Sequence, residues 1–281
     1  MARILVTGPT GTVGFAVLRR LLDTGHAPVA ALRGDAERAL PEGAERVRMD
    51  FTDPGSFGPA LRGIEGVFLM RPPQIANVKA TLVPFMDAAE AAGVRRVAFL
   101  SVLGAEKNPL LPHRVVERRL ERGALAWTHL RASYFMQNLA GMHAADIRAG
   151  HLSVPAGDGK TSFVDARDVG EAAAVVLTVP GHEHRAYDLT GPEALDYFEV
   201  ARVLSEVLGR RVEYRRPGSL EFLRREQERG TPTSLALVMA GIYATARLGL
   251  ADRVEQDLGR VLGRSPRTLA QFAADYRDAW A

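Results

Sequence analysis

The sequence predicts an α/β protein built on a doubly wound parallel sheet (a Rossmann arrangement), with a smaller, mostly helical lobe in its C-terminal part. Three observations predict it. Short apolar runs alternate with amphipathic stretches to about residue 191. A turn broken by glycines, ILVTGPTGTVG at 4–14, ends the first of those runs. Beyond residue 192 the alternation gives way to helical patterns. Strands spaced by helices call for a parallel sheet covered on both faces, with right-handed crossovers.

The first strand candidate, ARILVTG (2–8), is a near-continuous apolar run, as a strand buried on both faces requires. TVGFAVLRRLLDTG (12–25) has helical spacing, and Gly25 stands where a helix C-cap belongs. The strands APVAALR (27–33), AERVRMD (44–50) and GVFLMR (66–71) come next, then a helix over NVKATLVPFMDAAEAAG (77–93) that closes on Gly93. RRVAFLS (95–101) is the fifth strand, and PHRVVERRLERG (112–123) is a helix closing on Gly123. AWTHLRA (126–132), the helix DVGEAAAVVL (168–177) and RAYDLTG (185–191) complete the alternation. The lobe holds ALDYFEVARVLSEVLG (194–209), EFLRREQERG (221–230), a long apolar stretch from Ser234 to Leu250 and an amphipathic segment ending at Trp280.

No Pro/Ser linker intervenes. The chain therefore reads as a dinucleotide-binding part over 1–155 and a C-terminal part over 156–281. The latter completes the sheet with about 163–191 and adds the lobe over about 192–281. Such a lobe is placed to cover the carboxyl edge of the sheet, where ligands of these folds bind.

Composition narrows the chemistry. A chain of 281 residues, 47% hydrophobic and 25% charged, can bury an ample core. It has no cysteine, which excludes disulfides, thiolate zinc sites, iron–sulfur clusters and cysteine nucleophiles. MARILVTG has too short an apolar run for a signal peptide, and no run of about 18 apolar residues occurs after it, so a cytoplasmic protein without membrane contact is expected. Net charge is +3, and arginines lie scattered among acids, as in ERRLER (117–122). These are solvated faces and not a nucleic-acid stripe.

A strand that ends in glycine and runs straight into a helix gathers free backbone N–H groups and the positive end of the helix dipole at one point. A pyrophosphate fits there only if no Cβ obstructs it. The spacing of Gly8, Gly11 and Gly14 is G-x-x-G-x-x-G, not the commonest fingerprint, but its place at the head of a repeating β-α pattern gives it meaning. No Lys-Ser/Thr comes after it, which excludes a Walker loop. AGDGKTS (156–162) does contain Gly159-Lys160-Thr161, but Val154 stands where that motif needs its first glycine and no apolar helix succeeds it, so it reads as a polar loop.

The second strand ends in Ala31-Leu32-Arg33, where an NAD site needs an acid for the ribose 2′-OH. The first acid is Asp35, two residues on. Arg33 offers a fork of donors suited to a 2′-phosphate, which favours NADP over NAD.

The chain resembles the NmrA-like group of atypical short-chain dehydrogenases, which includes NADPH-dependent quinone reductases and nucleotide-sensing regulators. The resemblance rests on VTGPTGTVG (6–14), ALR (31–33), MDF (49–51), AAGVRRVAFLSVLGA (91–105), WTHLRASYFMQNL (127–139), FVDARDVGEAA (163–173), YDLTGPEAL (187–195) and LGRSPRTLAQFAADY (262–276). It implies that the cofactor lies over Gly8, Thr10, Gly11, Thr12 and Val13, with Arg33 at the 2′-phosphate and Asp50 and Phe51 beside the adenine. Leu69, Met70, Arg71 and Pro72, with Tyr134 and Phe135, would border the rest of the dinucleotide.

Ordinary short-chain dehydrogenases use Tyr-x-x-x-Lys, the lysine lowering the pKa of a tyrosine that passes a proton to the substrate carbonyl. None of the six tyrosines here has lysine four residues on. Ser101 remains at the end of the fifth strand, with His113 and, one helical turn further, Glu117. His113 either supplies a proton or lines the helix start after Pro112, and Tyr134 either donates a proton or walls the pocket. Ser101 is a reactive or a structural hydrogen bonder. No proton donor is fixed by the sequence, and hydride transfer to a quinone needs little acid catalysis beyond holding donor and acceptor in register. His182-x-His184 offers two metal ligands with no evident third, so no metal is expected. Phe135, Met136, Phe198, Phe222 and Met239 line an apolar pocket or belong to plain core.

Two functions are compatible with these residues. One is an NADPH-dependent oxidoreductase acting on an apolar quinone-like or carbonyl/enone small molecule. The other is a non-catalytic regulator that senses the nicotinamide ratio and passes it to a protein partner. An apolar cleft favours the first and an exposed apolar patch the second. A homo-oligomer is compatible with either.

Overall fold

The computed structural model describes residues 1–34 and 40–281. The apolar runs pair as parallel strands with helices between them, in the order β1 (Arg3–Thr7), α1 (Thr12–Asp23), β2 (Ala27–Leu32), β3 (Glu45–Arg48), α2 (Phe57–Leu61), β4 (Gly66–Met70), α3 (Leu82–Ala91), β5 (Arg96–Val102), α4 (Pro112–Arg122) and β6 (Ala126–Ala132). The chain continues through β7 (Tyr134–Phe135), α5 (Gln137–Ala140), α6 (Ala144–Arg148), β8 (His151–Ser153), β9 (Thr161–Val164), α7 (Ala166–Thr178), β10 (Arg185–Leu189) and β11 (Ala194–Leu195). It ends with α8 (Tyr197–Leu208), β12 (Glu213–Arg215), α9 (Ser219–Glu228), α10 (Thr233–Arg247), α11 (Asp257–Leu262) and α12 (Leu269–Asp275).

Two compact units emerge, and the chain passes between them several times. The first is 1–132, 166–189 and 257–264; the second is 133–165, 190–256 and 265–281. Residue 155 thus falls inside the second unit.

The first unit holds a sheet of order β10-β6-β5-β4-β1-β2-β3, parallel throughout. Strand order reverses between β1 and β4, the switch point beside which doubly wound sheets bind ligands at their carboxyl ends. Leu5 faces a cluster with Val67, Phe85, Phe99 and Leu120. Its neighbour Ile4 points to the other face, where α1 and α7 pack. Gly170 makes that packing close: a Cβ there would strike Ala16 and the α1 backbone.

The second unit joins the helices of the C-terminal lobe to short strands that the sequence did not announce. It carries a three-stranded sheet, β11-β9-β7, and a two-stranded one, β12-β8, among the described residues. Strands of two to four residues are too short to show a period of two. Its core gathers Phe163, Tyr197, Phe222, Tyr243, Phe272 and Trp280, and the Trp280 indole donates to the Leu139 carbonyl at 2.9 Å.

Two helix ends differ from expectation. The helix expected from 77 begins at Leu82, because Pro84 lacks an N–H and is tolerated only in a first turn. Gly25 and Gly93 are left-handed, as C-cap glycines are, whereas Gly123 ends α4 in an extended conformation with φ −92°.

Candidate dinucleotide site

The turn after β1 is built from glycine's two freedoms. Gly8 sits at φ +63°, and a Cβ there would run into the Met70 side chain at the end of β4. Gly14, in the first turn of α1, lies so close to the Gly8 carbonyl and Pro9 that a Cβ would collide with backbone. The turn is tied by Gly11 N–H donating to the Gly8 carbonyl at 3.0 Å. Thr7 Oγ1 joins β1 to β4, donating to the Phe68 carbonyl at 3.0 Å and accepting from Met70 N–H at 2.9 Å.

Gly11 is the N-cap of α1 and brings no capping side chain. A first helical turn has no intrahelical acceptors for its N–H groups, so the α1 N-terminus presents donors and a positive dipole end. Val13 buries its side chain and Thr12 is exposed, leaving backbone as the common offering. This bare cradle fits a pyrophosphate, and any Cβ at Gly8 or Gly14 would fill or deform it.

Arg33 comes directly after β2 and is exposed, close enough to Asp50 for its charge to act there. The Asp50 carboxylate accepts from Thr52 N–H and Thr52 Oγ1, both at 2.8 Å. Those bonds, more than Arg33 and Arg48, hold it below the usual carboxylate range. Phe51 turns inward, its ring edge-on to Phe85 at 5.2 Å, so what it can show a ligand is backbone. Asp35 lies outside the described residues.

After β4, Leu69 is fully buried, while Met70, Arg71 and Pro72 are half-buried. Arg71 folds back to donate to the Ile75 carbonyl at 2.7 Å, and burial lowers its pKa.

Ser101, His113 and Glu117 do come together, but the arrangement is an ion network. Ser101 Oγ donates to Glu117 Oε1 at 2.8 Å. Arg131 grips the same carboxylate with Nε at 2.9 Å and Nη2 at 3.0 Å, and Arg114 Nη1 donates to Oε2 at 3.0 Å. Burial works to raise the Glu117 carboxyl, and the bonds from Arg131 and Ser101 overcome it, leaving its pKa lowered. Burial first, and the Arg71 charge second, push His113 down to about 4, so the ring is neutral at pH 7.

Tyr134 and Phe135 belong to the second unit, paired through β7 to Phe163 and Val164. The Tyr134 hydroxyl bonds the Tyr243 hydroxyl at 2.9 Å and lies 3.3 Å from His143 Nε2, which bonds Tyr243 at 2.6 Å. Burial pushes Tyr134 up to about 12 and His143 down to about 4. Met136, Phe222 and Met239 are core, Phe135 is half-buried and Phe198 is exposed beneath Arg216.

Sequence reasoning missed Arg114, Arg131, His143 and Tyr243. Arg131, the one full charge in the strand AWTHLRA, and Arg114, three residues before Glu117 on one helix, carried usable signals. Among the described residues, Glu117, Glu121 and His129 converge closely enough to resemble a metal-ligand set. Arg114 Nη1 already bridges the two carboxylates, at 3.0 and 2.6 Å, supplying the cation itself. His182 instead bonds the Tyr187 hydroxyl at 2.8 Å, and His184 stands edge-on to Trp127.

A parallel sheet with this strand order and a glycine cradle at its switch point defines a dinucleotide-binding protein of the Rossmann class. Residues 1–243 match the model of the NmrA-like family, and the chain belongs to that family. It is 36% identical to an NAD(P)H azoreductase of Xenophilus azovorans, covering 99% of both chains. An NADPH-dependent quinone oxidoreductase of Escherichia coli, solved in complex with NADPH, superposes with a TM-score of 0.87 at 28% identity, over 97% of this chain and 99% of that one. The triphenylmethane reductase of Citrobacter sp., solved with NADP(H), gives 0.87 at 27% identity, again over 97% and 99%. No helix among the described residues is long and apolar enough to cross a membrane.

Proposed function

We propose that this chain is a cytoplasmic NADPH-dependent oxidoreductase that reduces an apolar quinone-like or carbonyl/enone small molecule without a Tyr-x-x-x-Lys dyad. The observation that carries the reading is the glycine cradle at the head of α1, with Arg33 at the end of the neighbouring strand. Gly8, Thr10, Gly11, Thr12 and Val13 hold the pyrophosphate through backbone, and Arg33 pairs with the 2′-phosphate. Asp50 and the Phe51 backbone border the adenine, and Leu69 to Pro72 border the next stretch of the dinucleotide. When bound, the reduced dinucleotide supplies the hydride.

Each side chain that the sequence offers as a proton source is already engaged. Ser101 spends its proton on Glu117, His113 is a neutral ring, and Tyr134 is held by Tyr243 and His143. Such a site suits acceptors whose reduced form spreads its negative charge, since these need orientation more than a strong acid. The similar proteins are named for azo, quinone and triphenylmethane acceptors.

A screen of NADPH oxidation over quinones, azo dyes, enones and aldehydes tests the reading. Turnover on quinones or azo dyes is expected. Tight NADPH binding with no turnover on any class would replace it with the sensing reading.

A further inference from the structure

Arg71 follows β4 directly, at the carboxyl edge of the sheet and beside the switch point. Val67 and Leu69 face the side covered by α3 and α4. Two residues on, Arg71 returns to that side, and its charge acts on His113 at the head of α4. The His113 ring packs near Phe99 of β5, with centroids 6.2 Å apart. Arg71 thus carries a half-buried positive charge to the ends of β4 and β5, on the edge where ligands of doubly wound sheets bind.

That charge has no opposite. All the hydrogen bonds of Arg71 run from Nη1, to the carbonyls of Pro72 and Pro73 at 3.3 Å and of Ile75 at 2.7 Å. Among the described residues no carboxylate acts on it, and burial alone lowers its pKa. The neighbouring arginines are treated differently: Arg131 meets Glu117 and Glu106, and Arg114 meets Glu117 and Glu121. Carbonyls alone also hold Arg210, in the second unit, so the place of Arg71 is what sets it apart. Partial burial of a guanidinium costs free energy that carbonyl dipoles offset only in part. A neutral amide would tie the 72–75 turn without that cost.

We propose that Arg71 is the counterion for the oxyanion of the reduced acceptor, a phenolate such as a hydroquinone monoanion. This rests on the function proposed above. Hydride transfer to a quinone forms one bond to hydrogen and breaks one C=O π bond, with oxidation of the bound dinucleotide. The displaced electron pair ends as negative charge on a quinone oxygen. A guanidinium offers a planar fork of donors and keeps its proton, so it holds that charge without quenching it. The proton that completes the hydroquinone comes from water. This gives the site a means of stabilising its product although Ser101, His113 and Tyr134 supply no acid.

Equilibrium binding to the full chain loaded with NADP⁺ tests it, with 4-nitrophenol as the probe, because its phenolate form is read by a visible absorption band. The phenolate should bind in preference to the phenol. Arg71→Gln, which keeps an N–H donor for the Ile75 carbonyl, should weaken the phenolate on the order of 30-fold and leave neutral 4-nitroanisole unaffected. Arg71→Lys, which keeps the charge without the fork, should recover part of the loss. A parent chain that binds no phenolate, or equal phenolate affinity in the parent and Arg71→Gln, overturns the inference. So does a fall in NADPH affinity that matches the loss of phenolate, which would put the guanidinium on a dinucleotide phosphate. Quinone turnover undiminished in Arg71→Gln also overturns it and leaves the proposed function standing. Arg71-dependent phenolate binding in a chain that turns over no acceptor retires the proposed function and keeps the anion site.

Discussion

The turns at 8–14 and 156–162 look alike as strings, each a short run of glycines beside Thr. In the structure both use glycine for close backbone approach: Gly14 against the Gly8 carbonyl, Gly159 against the Ala246 carbonyl and Arg247 N. Each also has one left-handed glycine, Gly8 at φ +63° and Gly157 at +60°. The elements they lead into differ. The first turn opens a twelve-residue helix whose N-cap brings no side chain, whereas the second opens the strand β9. The second also walls a cavity of about 670 Å³ in its own unit, two of whose lining cations are compensated: Arg216 meets Asp158 at 2.7 Å and Lys160 meets Glu199 at 3.3 Å. Glycine spacing records that backbones come close; the element after it decides whether their N–H groups are left for a ligand.

The largest expected effects separate the two turns by one methyl group each. Gly14→Ala drives a Cβ into the floor of the cradle, where only backbone can move. NADPH affinity should fall on the order of 100-fold, with a stability loss of about 1–3 kcal/mol. Gly159→Ala makes an equivalent collision and should cost a similar stability, but titration calorimetry should find NADPH affinity within about twofold of the parent. Equal losses of affinity in both variants would erase the distinction.

A smaller effect sharpens the reading of the first turn. Arg33 is exposed, and its guanidinium is a fork of donors matched to a phosphate. Arg33→Ala should weaken NADPH by about 1.5–3 kcal/mol, the range for a charge-assisted hydrogen bond, and leave NADH unchanged. A parallel loss for both nucleotides would move the arginine away from the 2′-phosphate.

Proton linkage separates what holds the fold from what holds the dinucleotide. Burial keeps His113, His129 and His143 at about 4 each. In the unfolded chain such rings take up protons below about 6.5. Between those values the unfolded state binds more protons, so stability should fall as pH drops from about 6.5 towards 4, by on the order of 1–3 kcal/mol per ring. The cradle offers backbone groups that do not titrate, so NADH affinity should stay flat over the upper part of that window. Thermal midpoints and NADH titrations at matched pH values check both statements, and a flat thermal midpoint would show that these rings are not the acid-sensitive groups.

The first unit was legible because its signals are local. The buried strands read as apolar runs, and the Gly8–Gly14 turn announces itself by standing between a strand and a helix. Its parallel order is dictated by alternation alone. Of the network about Glu117, Arg114 is a local i,i+3 neighbour on α4, but Ser101 and Arg131 are brought to it only by folding α4 over β5 and β6 and were not legible. The Tyr134–Tyr243 bond spans 109 residues and leaves no mark in spacing. The short strands of the second unit failed for a related reason: β7 is held as a strand by Phe163 and Val164, not by any pattern of its own two residues.

The smallest expected effect bears most directly on the likeness of the two turns. Lys160 is the residue that gives AGDGKTS its phosphate-loop look, and in such loops the lysine is a principal phosphate contact. Here its ammonium faces Glu199 across a pair that is 49% and 37% exposed, where solvent screens most of the attraction. Lys160→Ala should therefore change stability by less than about 0.5 kcal/mol, since the capping box that starts α8 is closed by Asp196 and Glu199 without it. NADPH affinity should not move, because the donors assigned to the phosphates stand on the other turn. A measured drop in affinity, in a variant whose thermal midpoint is unchanged, would place a phosphate at the second turn after all and make the two loops equivalents in function as well as in composition.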